Sequence, residues 1–277
     1  MSQASSTCSM GAGGLWMPFH CDDPSTNRWS RTTLLSYLSL TETPSSPLSK
    51  HVEMIQATVY KNLPHHGQND TDSYTLPLSP LPQWALDNPE LNFQSLNMFQ
   101  LSWQGSIDNM HIPDTLRESY EDAWTFRTPV VDSLKYMEAL KLLCIEEGVE
   151  VKEDVEYTSP GAVKASALSL GCAHIVNCTG LSSSTLLPDP SLLPGRGVLY
   201  YYRRPEGFNT CALVDDGPVG TDCYPKYVIP RGDVVAVGGT YLEGDYEVGI
   251  RDSERLMLEG NAEMLLPGGG EGWEKVG

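Results

Sequence analysis

The stretch from Cys172 to Gly197 constrains the fold of this chain more than any other. It opens with a short apolar run, Ala173 to Asn177, which predicts a buried strand. Three small residues follow at positions 178–180. In open α/β sheets, ligands bind beyond the carboxyl ends of the strands, where small residues let a ligand approach the backbone. Prolines and glycines then fill the run from Leu187 to Gly197, which predicts a rigid, extended crossing into the next strand.

The composition restricts the classes of partner. A chain of 277 residues is long enough for one large domain or two smaller ones with a sizeable core. Its formal net charge of -18 argues against nucleic acid or an anionic membrane as a partner. Seven cysteines without a C-x-x-C pair predict free, buried thiols in a reducing compartment. The first residues carry neither a basic region nor an apolar core, so we expect no secretory signal, and no apolar run reaches the length of a membrane span.

Apolar periodicity predicts helices and strands along most of the chain. Helical spacing is present in residues 25–40, with Ser25 or Thr26 as the N-cap, in residues 250–265, and between an N-cap at Asp132 or Ser133 and a C′ residue at Gly148. Strands are expected at Val52–Tyr60, Ala123–Val131, Val149–Glu156, Val198–Arg203, Asn209–Val214, Lys226–Ile229 and Val234–Tyr241. Pro129 indicates an edge or the end of its strand, and Pro230–Asp233 predicts a hairpin turn. Successive strands with short turns predict a largely antiparallel sheet.

The polar residues do not form a recognisable hydrolytic or metal constellation. His20, His51 and His111 are isolated, and His174 lies in the apolar run, where we expect a hydrogen-bonded core histidine. The pair His65-His66 lacks a cysteine or acidic partner at ligand spacing, which favours a solvated loop over a metal site.

The glycine run from Gly11 to Gly14 admits a phosphate-loop interpretation. The dinucleotide fingerprint requires a preceding strand and a third glycine, and Trp16 occupies that third position. Because the preceding residues are polar and rich in serine, the sequence favours a flexible loop here.

Three longer segments carry a resemblance to a known family. The first is VNCTGL at 176–181, followed by LLPGRG at 192–197. The second is SMGAGGLWMPF at 9–19, and the third is YVIPRGDVVAVGGTYLEGDYE at 227–247. Together they resemble the D-amino-acid oxidase family of FAD enzymes, which includes D-aspartate oxidase. The segment at 126–151 resembles the crossing of that family from its substrate domain back to its flavin domain.

The resemblance assigns roles to individual residues. By this match the flavin ring would contact Gly14 and Leu15, whereas the phosphate and adenine portions would contact other residues. The complete set of implied cofactor contacts is Thr7, Ser9, Gly14, Leu15, Val155 and Thr179. Tyr227 matches a tyrosine that binds the substrate carboxylate. A second family tyrosine falls on Cys223, with Tyr224 one residue away as the implied contact.

The chain departs from the family pattern at both ends. The strand-helix-strand unit that carries the glycine fingerprint and the acidic ribose-binding residue has no counterpart in this sequence. The later part of the family, with the arginine that pairs with the substrate carboxylate, has none either. No residue is implied as a catalytic acid or base, because the flavin accepts the hydride.

The resemblance implies an oxidase acting on D-amino acids. The products would be a 2-oxo acid and ammonia, with O₂ reduced to hydrogen peroxide. Met17 and Phe19 favour substrates with neutral or apolar side chains. The alternative is an inactive, truncated remnant or a non-enzymatic module of the same family, since both characteristic ends lack a match.

The implied fold is mixed α/β in two interleaved domains. Residues 1–40 and 148–195 would form a partial, Rossmann-like FAD-binding layer. Residues 41–147 and 196–265 would form a substrate domain with a largely antiparallel sheet, followed by a tail at 266–277. The implied partners are a D-amino acid and O₂, with neither nucleic acid nor membrane, and the resemblance admits a homodimer. We expect a peroxisomal or cytoplasmic location, although no peroxisomal tripeptide ends the sequence.

Overall fold

A computed structural model describes residues 8–18, 23–61, 81–97, 116, 120, 122–215 and 226–277. The chain divides into two compact units. The larger unit, here the sheet unit, comprises the described parts of Met1–Lys141, Val198–Thr240 and Ile250–Gly277. The smaller unit comprises Leu142–Gly197 and Tyr241–Gly249. The domain boundaries implied by the resemblance remain a prediction.

The sheet unit is built on seven strands in the order β2-β3-β1-β6-β7-β8-β5. These strands are β1 (Val52–Lys61), β2 (Gln94–Asn97), β3 (Asp122–Val131), β5 (Tyr200–Arg203), β6 (Thr210–Asp215), β7 (Lys226–Arg231) and β8 (Val234–Gly238). Neighbouring strands are antiparallel except β1 and β6, which run parallel. The predicted mixed α/β class with a largely antiparallel sheet is therefore confirmed.

The centre of the sheet is covered on both faces. β1 and β3 pair over ten residues, from Val52 opposite Val131 to Lys61 opposite Asp122. Tyr60 is fully buried in the cluster on one face, and Phe126 is fully buried in the cluster on the other. Both faces of β3 lie against apolar side chains. Nearly every residue of β3 is therefore buried, polar residues as well as apolar ones.

Among the described helices of eight or more residues, α1 (Thr26–Thr41) and α4 (Asp252–Leu265) pack against the sheet. Helix α1 buries Leu34, and its predicted cap Ser25 makes no side-chain cap bond. Helix α2 (Ser133–Glu146) begins after Asp132, whose carboxylate accepts a hydrogen bond from the Lys135 amide at 3.4 Å. Helix α3 (Pro160–Ser169) lies in the smaller unit, and the apolar side of α4 packs on β7 and β8.

Short helical turns complete the described elements. They are Cys8–Gly11, Ser49–His51, Gln83–Leu86, Pro89–Leu91, Gly180–Ser182, Ser183–Leu186 and Pro267–Gly270. Of the helices in the described ranges, none is long and apolar enough to cross a bilayer.

The β7–β8 hairpin is tighter than the sequence predicts. Pro230 and Arg231 belong to β7, where they pair with Val235 and Val234. The turn is therefore the two-residue Gly232-Asp233 and not the four residues 230–233. The β8 strand also ends at Gly238, three residues before the predicted end.

The smaller unit contains few regular elements. It contains α3 and a two-stranded pair, β4 (Gly195–Arg196) with β9 (Leu242–Glu243). The buried Arg196 ties these segments together, because its Nε–H donates to the Glu247 carbonyl at 2.6 Å and its guanidinium lies 3.7 Å from Asp245.

Two strand predictions in the smaller unit are wrong. Residues 173–177 and 149–156 form no strand, and Val176 is 83% exposed. A buried strand needs at least one neighbouring strand to satisfy its backbone groups, and no described strand pairs with either segment. The prediction that His174 is a core histidine is wrong for the same reason, since this residue is exposed.

The described cysteines are free, as the sequence predicts, but they are not uniformly buried. Cys211 is completely buried and Cys144 is half-buried, whereas Cys8, Cys172 and Cys178 are exposed. Cys172 and Cys178 flank the segment that was predicted to be a buried strand. Their exposure follows from its failure to enter a sheet.

Candidate functional site

A short extended segment at the N-terminal end, Ala12–Leu15, lies along the edge of β3. Leu15 forms an antiparallel bridge with Val130. The Val131 amide donates to the carbonyl before Leu15 at 2.9 Å, and the Trp16 amide donates to the Pro129 carbonyl at 3.0 Å. Pro129 therefore lies where β2 no longer covers β3, and its carbonyl is satisfied by this segment.

The bridge fixes the direction of the peptide groups of Leu15. In an antiparallel ladder, hydrogen bonds on both sides of a residue pair leave that pair non-hydrogen-bonded. The N–H and C=O of Leu15 therefore point away from β3, although the chain around it is held to the sheet. The expectation of a flexible glycine loop at 11–14 is wrong at Gly14, whose carbonyl is bonded to β3.

Close packing explains the two glycines of this segment. A side chain at Gly13 would come within 2.9 Å of the Ile229 methyl group. A side chain at Gly14 would overlap the Val131 carbonyl, and Gly14 adopts φ of 82°, which favours glycine. Both glycines let the segment approach the sheet closely, and their presence does not by itself require a ligand.

A cavity of about 520 Å³ opens along the same segment, between α1 and α2. It is lined by Ser9, Ala12, Gly14, Leu15, Trp16, Met17, Pro18, Trp29, Ser30, Thr33, Tyr37, Val131, Ser133, Tyr136 and Met137. Tyr37 and Tyr136 meet edge to face with ring centroids 6.1 Å apart, and burial raises the pKa of both phenols. Its size and its mainly apolar wall are typical of small-molecule sites.

The predicted substrate tyrosine, Tyr227, is not among the residues that line this cavity. Its ring packs directly on the backbone of Gly238 and Gly239, where a Cβ would overlap it. It also approaches Gly13. Burial raises the pKa of Tyr227 to about 12, with the neighbouring Tyr201 as a second cause.

Arg231 lies on the same face of β7 as Tyr227, four residues further along the strand. Its guanidinium donates to the Ala12 carbonyl and, at 3.2 Å, to the Tyr201 hydroxyl. The guanidinium also lies over the Tyr201 ring, 5.2 Å from the ring centroid. The segment Ala12–Leu15 thus joins two features: it lines the cavity and covers the cluster of Tyr201, Tyr227 and Arg231.

The remaining sequence-predicted contacts are not gathered here. Ser9 lines the cavity from the turn Cys8–Gly11 and is exposed. Val155 and Thr179 belong to the smaller unit and are also exposed, and the Thr179 hydroxyl bonds Asn177 at 2.7 Å and lies 2.9 Å from the Ser183 hydroxyl. Thr7, Tyr224 and Cys223, together with Phe19, lie outside the described residues.

Sequence reasoning missed Arg231, Tyr201 and the helical walls of the cavity. Arg231 was placed in a turn because it follows Pro230. The alternation Tyr227, Ile229, Arg231 along one strand was the signal that would have put the arginine on the tyrosine's face. Nothing in the local sequence identifies Tyr201, since its contact with Arg231 joins residues 30 positions apart.

The chain matches a known family over nearly its whole length. A family model described as DAO, FAD dependent oxidoreductase, matches residues 2–275. A D-amino-acid oxidase of Fusarium vanettenii is 30% identical over 145 residues, which are 51% of this chain and 38% of the relative. A D-amino-acid oxidase of Dictyostelium discoideum is 32% identical over 85 residues, 30% of this chain and 22% of the relative. The matched stretches therefore span well under half of these curated relatives.

Solved structures show the same fold at low identity. The glycine oxidase of Geobacillus kaustophilus superposes with a TM-score of 0.61 at 15% identity, covering 99% of this chain and 71% of that one. The glycine oxidase of Bacillus cereus ATCC 14579 gives a TM-score of 0.59 at 13% identity, covering 99% and 73%.

The described residues fit one end of FAD. The outward N–H and C=O of Leu15, beside an apolar cavity, suit the hydrogen-bonding edge and flat faces of the flavin ring. No described strand leads through a glycine-rich turn into a helix N-terminus, which is the usual cradle for a pyrophosphate. Gly14 and Leu15 would therefore hold the ring, and no described residue is assigned to the phosphates. In the same ranges, no group of three or more His, Cys, Asp or Glu side chains is arranged to hold a metal ion.

Proposed function

The chain belongs to the DAO family of FAD-dependent oxidoreductases, and we propose that it oxidises D-amino acids. In this reaction a D-amino acid yields a 2-oxo acid and ammonia, and O₂ is reduced to hydrogen peroxide. The curated relatives that carry the name D-amino-acid oxidase favour this substrate class.

One observation carries the proposal. The segment Ala12–Leu15 lines an apolar cavity of about 520 Å³ and also packs near Tyr227 and bonds Arg231. Tyr227 and Arg231 carry a phenol and a guanidinium, two groups that recognise a carboxylate, and both approach the segment that would hold the ring.

The proposed roles of the side chains follow from their chemistry. FAD, when bound, accepts the hydride from the substrate carbon. Tyr227 would donate its phenolic hydrogen to the substrate carboxylate, and its pKa of about 12 keeps that hydrogen in place at neutral pH. Leu15 would orient the ring through its outward peptide groups. The aromatic wall around Tyr37 and Tyr136 would exclude water from the ring.

We propose D-amino acid and O₂ as the small-molecule partners, in a peroxisomal or cytoplasmic setting. The apolar cavity wall near Met17 supports substrates with neutral side chains. These assignments concern the activity of a whole protein, and the chain spans under half of its curated relatives.

The second candidate is an inactive remnant or a non-enzymatic module of the same family. The exposure of residues 173–177 favours it, because this stretch was expected to form the strand beside the cofactor. It differs from the first candidate in one respect, the ability to turn over substrate when FAD is present.

The test is an assay for peroxide and 2-oxo acid with excess FAD, comparing D-alanine, L-alanine and glycine. We expect both products in equal amounts from D-alanine and none from L-alanine. The variant Tyr227→Phe should raise KM about 10- to 100-fold, as expected for the loss of a hydrogen bond to a charged group. The variant Gly260→Ala, in α4 with no neighbour within 4 Å of the added methyl group, is the control. Flavin binding without any product would favour the non-enzymatic module.

A further inference from the structure

A second cavity, of about 400 Å³, opens on the sheet unit and shares no lining residue with the first. Its described wall is mainly polar, with one cation and no acid, and consists of Met54, Ile55, Gln56, Asn92, Gln94, Thr125, Arg127, Asn209 and Thr210. Its volume is typical of small-molecule sites. Since acidic residues outnumber basic ones by 36 to 18 in the whole chain, a cavity wall without a carboxylate is a local departure from the composition.

The strand register aligns the polar side chains of this second cavity. Gln56 of β1 lies between Arg127 of β3 and Thr210 of β6. Gln94 of β2 pairs with Thr125, two residues before Arg127 on β3. Paired residues share a face of a sheet, and so do residues two apart in one strand, so all five side chains lie on the same face. The apolar cluster that includes α1 lies on the opposite face.

Arg127 is the cation of the second cavity. Its side chain is exposed, and its guanidinium makes no hydrogen bond or ion pair with a described residue. By contrast, the guanidinium of Arg203 lies 2.5 Å from the carboxylate of Glu274. That of Arg204 lies 2.7 Å from the carboxylate of Glu53. The charge of Arg127 is therefore available to a ligand.

The amides beside Arg127 provide uncharged hydrogen-bonding groups. The Gln56 amide is held in place, because it donates to the Thr125 hydroxyl, which in turn donates to the Ala57 carbonyl at 3.2 Å. The side-chain amides of Asn92 and Gln94 are exposed and bond no described residue. Carboxamides both donate and accept hydrogen bonds, which suits hydroxyl groups, whereas the planar fork of an arginine suits the oxygens of a carboxylate or phosphate.

We propose that the second cavity binds a small organic anion that carries hydroxyl groups. Arg127 binds the carboxylate or phosphate group, and the amides of Gln56 and Gln94 bind the hydroxyls. The formal net charge of -18 favours a small anion over a polyanion, which the whole protein would repel. This site goes beyond the proposed oxidase reaction, since none of its residues lines the cavity beside Leu15.

The test compares D-gluconate with D-glucitol, which has a hydroxyl group in place of the carboxylate. Their affinities for the purified full chain are measured by ligand-observed NMR titration at pH 7 and low ionic strength. We expect the wild type to bind D-gluconate at least about 10-fold more tightly than D-glucitol, as for a hydrogen bond to a charged group. Arg127→Met should abolish this preference, whereas Arg203→Met, which removes an exposed arginine paired with Glu274, should preserve it.

A second pair of probes, glucose 6-phosphate and glucose, tests a phosphate group in the same way. The pair with the larger preference identifies the anionic group that the site favours, and a preference in either pair that Arg127→Met abolishes supports the proposal. If Arg127→Met does not fold, Arg127→Gln, which replaces the cation by a neutral amide, is measured with the same expectation.

Three results overturn the proposal. The first is a wild type without preference in either pair. The second is a folded Arg127 variant that keeps the wild-type preference. The third is an equal loss of preference in Arg127→Met and Arg203→Met, which would show that the anions respond to overall charge and not to this cavity.

Discussion

Burial fixes the position of the Tyr227 ring and keeps its phenol protonated. The ring lies on two glycines, so its position is fixed by backbone and not by flexible side chains. Burial is the main reason that its pKa rises from 10.0 to about 12, and Arg231 opposes this rise. The phenol therefore stays neutral, as a hydrogen-bond donor, from the acidic pH at which carboxylates ionise up to about pH 12.

The raised pKa predicts a pH dependence of stability with a definite sign. In the unfolded chain Tyr227 loses its proton near pH 10, whereas in the folded chain it keeps it up to about pH 12. Its stabilising contribution is complete below pH 10 and is lost as the pH rises through 12. We expect the free energy of unfolding of the wild type to fall relative to Tyr227→Phe above pH 10, measured by urea denaturation. Parallel curves for the two proteins above pH 10 would contradict this assignment.

Gly238 should be intolerant of any side chain. A methyl group there would overlap the Tyr227 ring and force it out of position. We expect Gly238→Ala to lower stability by about 1–3 kcal/mol, as in overpacked cores, and to raise KM for the amino acid. Gly260→Ala serves as the matched control, because it adds a methyl group in α4 without a neighbour within 4 Å and should stabilise the helix by up to about 1 kcal/mol. Equal melting temperatures for the two variants would refute the packing argument.

At the scale of elements, the edge of β3 shows what sequence can and cannot supply. The strand itself follows from alternation around Phe126. Pro129 does not end it, because Pro129 pairs with Met54 inside β3, beyond Thr125 where the pairing with β2 stops. The partner at that edge, Leu15, is more than 100 residues away in sequence, so no local pattern predicts the pairing. Conversely, apolar content alone predicts a strand at 173–177, yet a strand needs neighbours, and the described chain provides none.

The N-terminal segment should depend on one buried hydroxyl. Thr128 is fully buried, and its hydroxyl donates to the Trp16 carbonyl at 2.6 Å. Thr128→Val keeps the shape but leaves that carbonyl unsatisfied, so we expect a loss of about 1–3 kcal/mol in unfolding free energy. Thr32→Val is the control, because Thr32 is exposed and its hydroxyl donates to the Arg28 carbonyl within α1. A loss no larger than that of the control would show that this bond does not secure the segment.

Hydrogen exchange should distinguish the two apolar segments that sequence treats alike. Residues 173–177 lie exposed outside any ladder, whereas β1 is paired on both sides. We expect the amides of 173–177 to exchange within seconds to minutes and those of Val52–Lys61 to be the slowest in the chain. Comparable protection of both segments, measured by mass spectrometry, would mean that 173–177 does form the predicted strand.

At the scale of the molecule, sequence motifs identify the family, whereas side-chain packing forms the cavity. The motifs at 176–181 and 227–247 were enough to identify the family, which the match over residues 2–275 confirms. The motifs did not reveal the cavity. Its walls come from helices, and the spacing of apolar residues in those helices predicts only that they pack in a core. Nor did the motifs reveal that Arg231 is buried and bonds the Ala12 carbonyl. Both are properties of the assembled sheet unit and have no local sequence signature.

The central claim is that this chain binds FAD and uses it to oxidise a D-amino acid. The most direct measurement is the visible absorption spectrum of the purified chain after incubation with excess FAD and desalting, followed by anaerobic addition of D-alanine. The account predicts a retained flavin band that bleaches on addition of D-alanine and not of L-alanine. A protein that emerges colourless, or a retained band that D-alanine leaves unchanged, would contradict it.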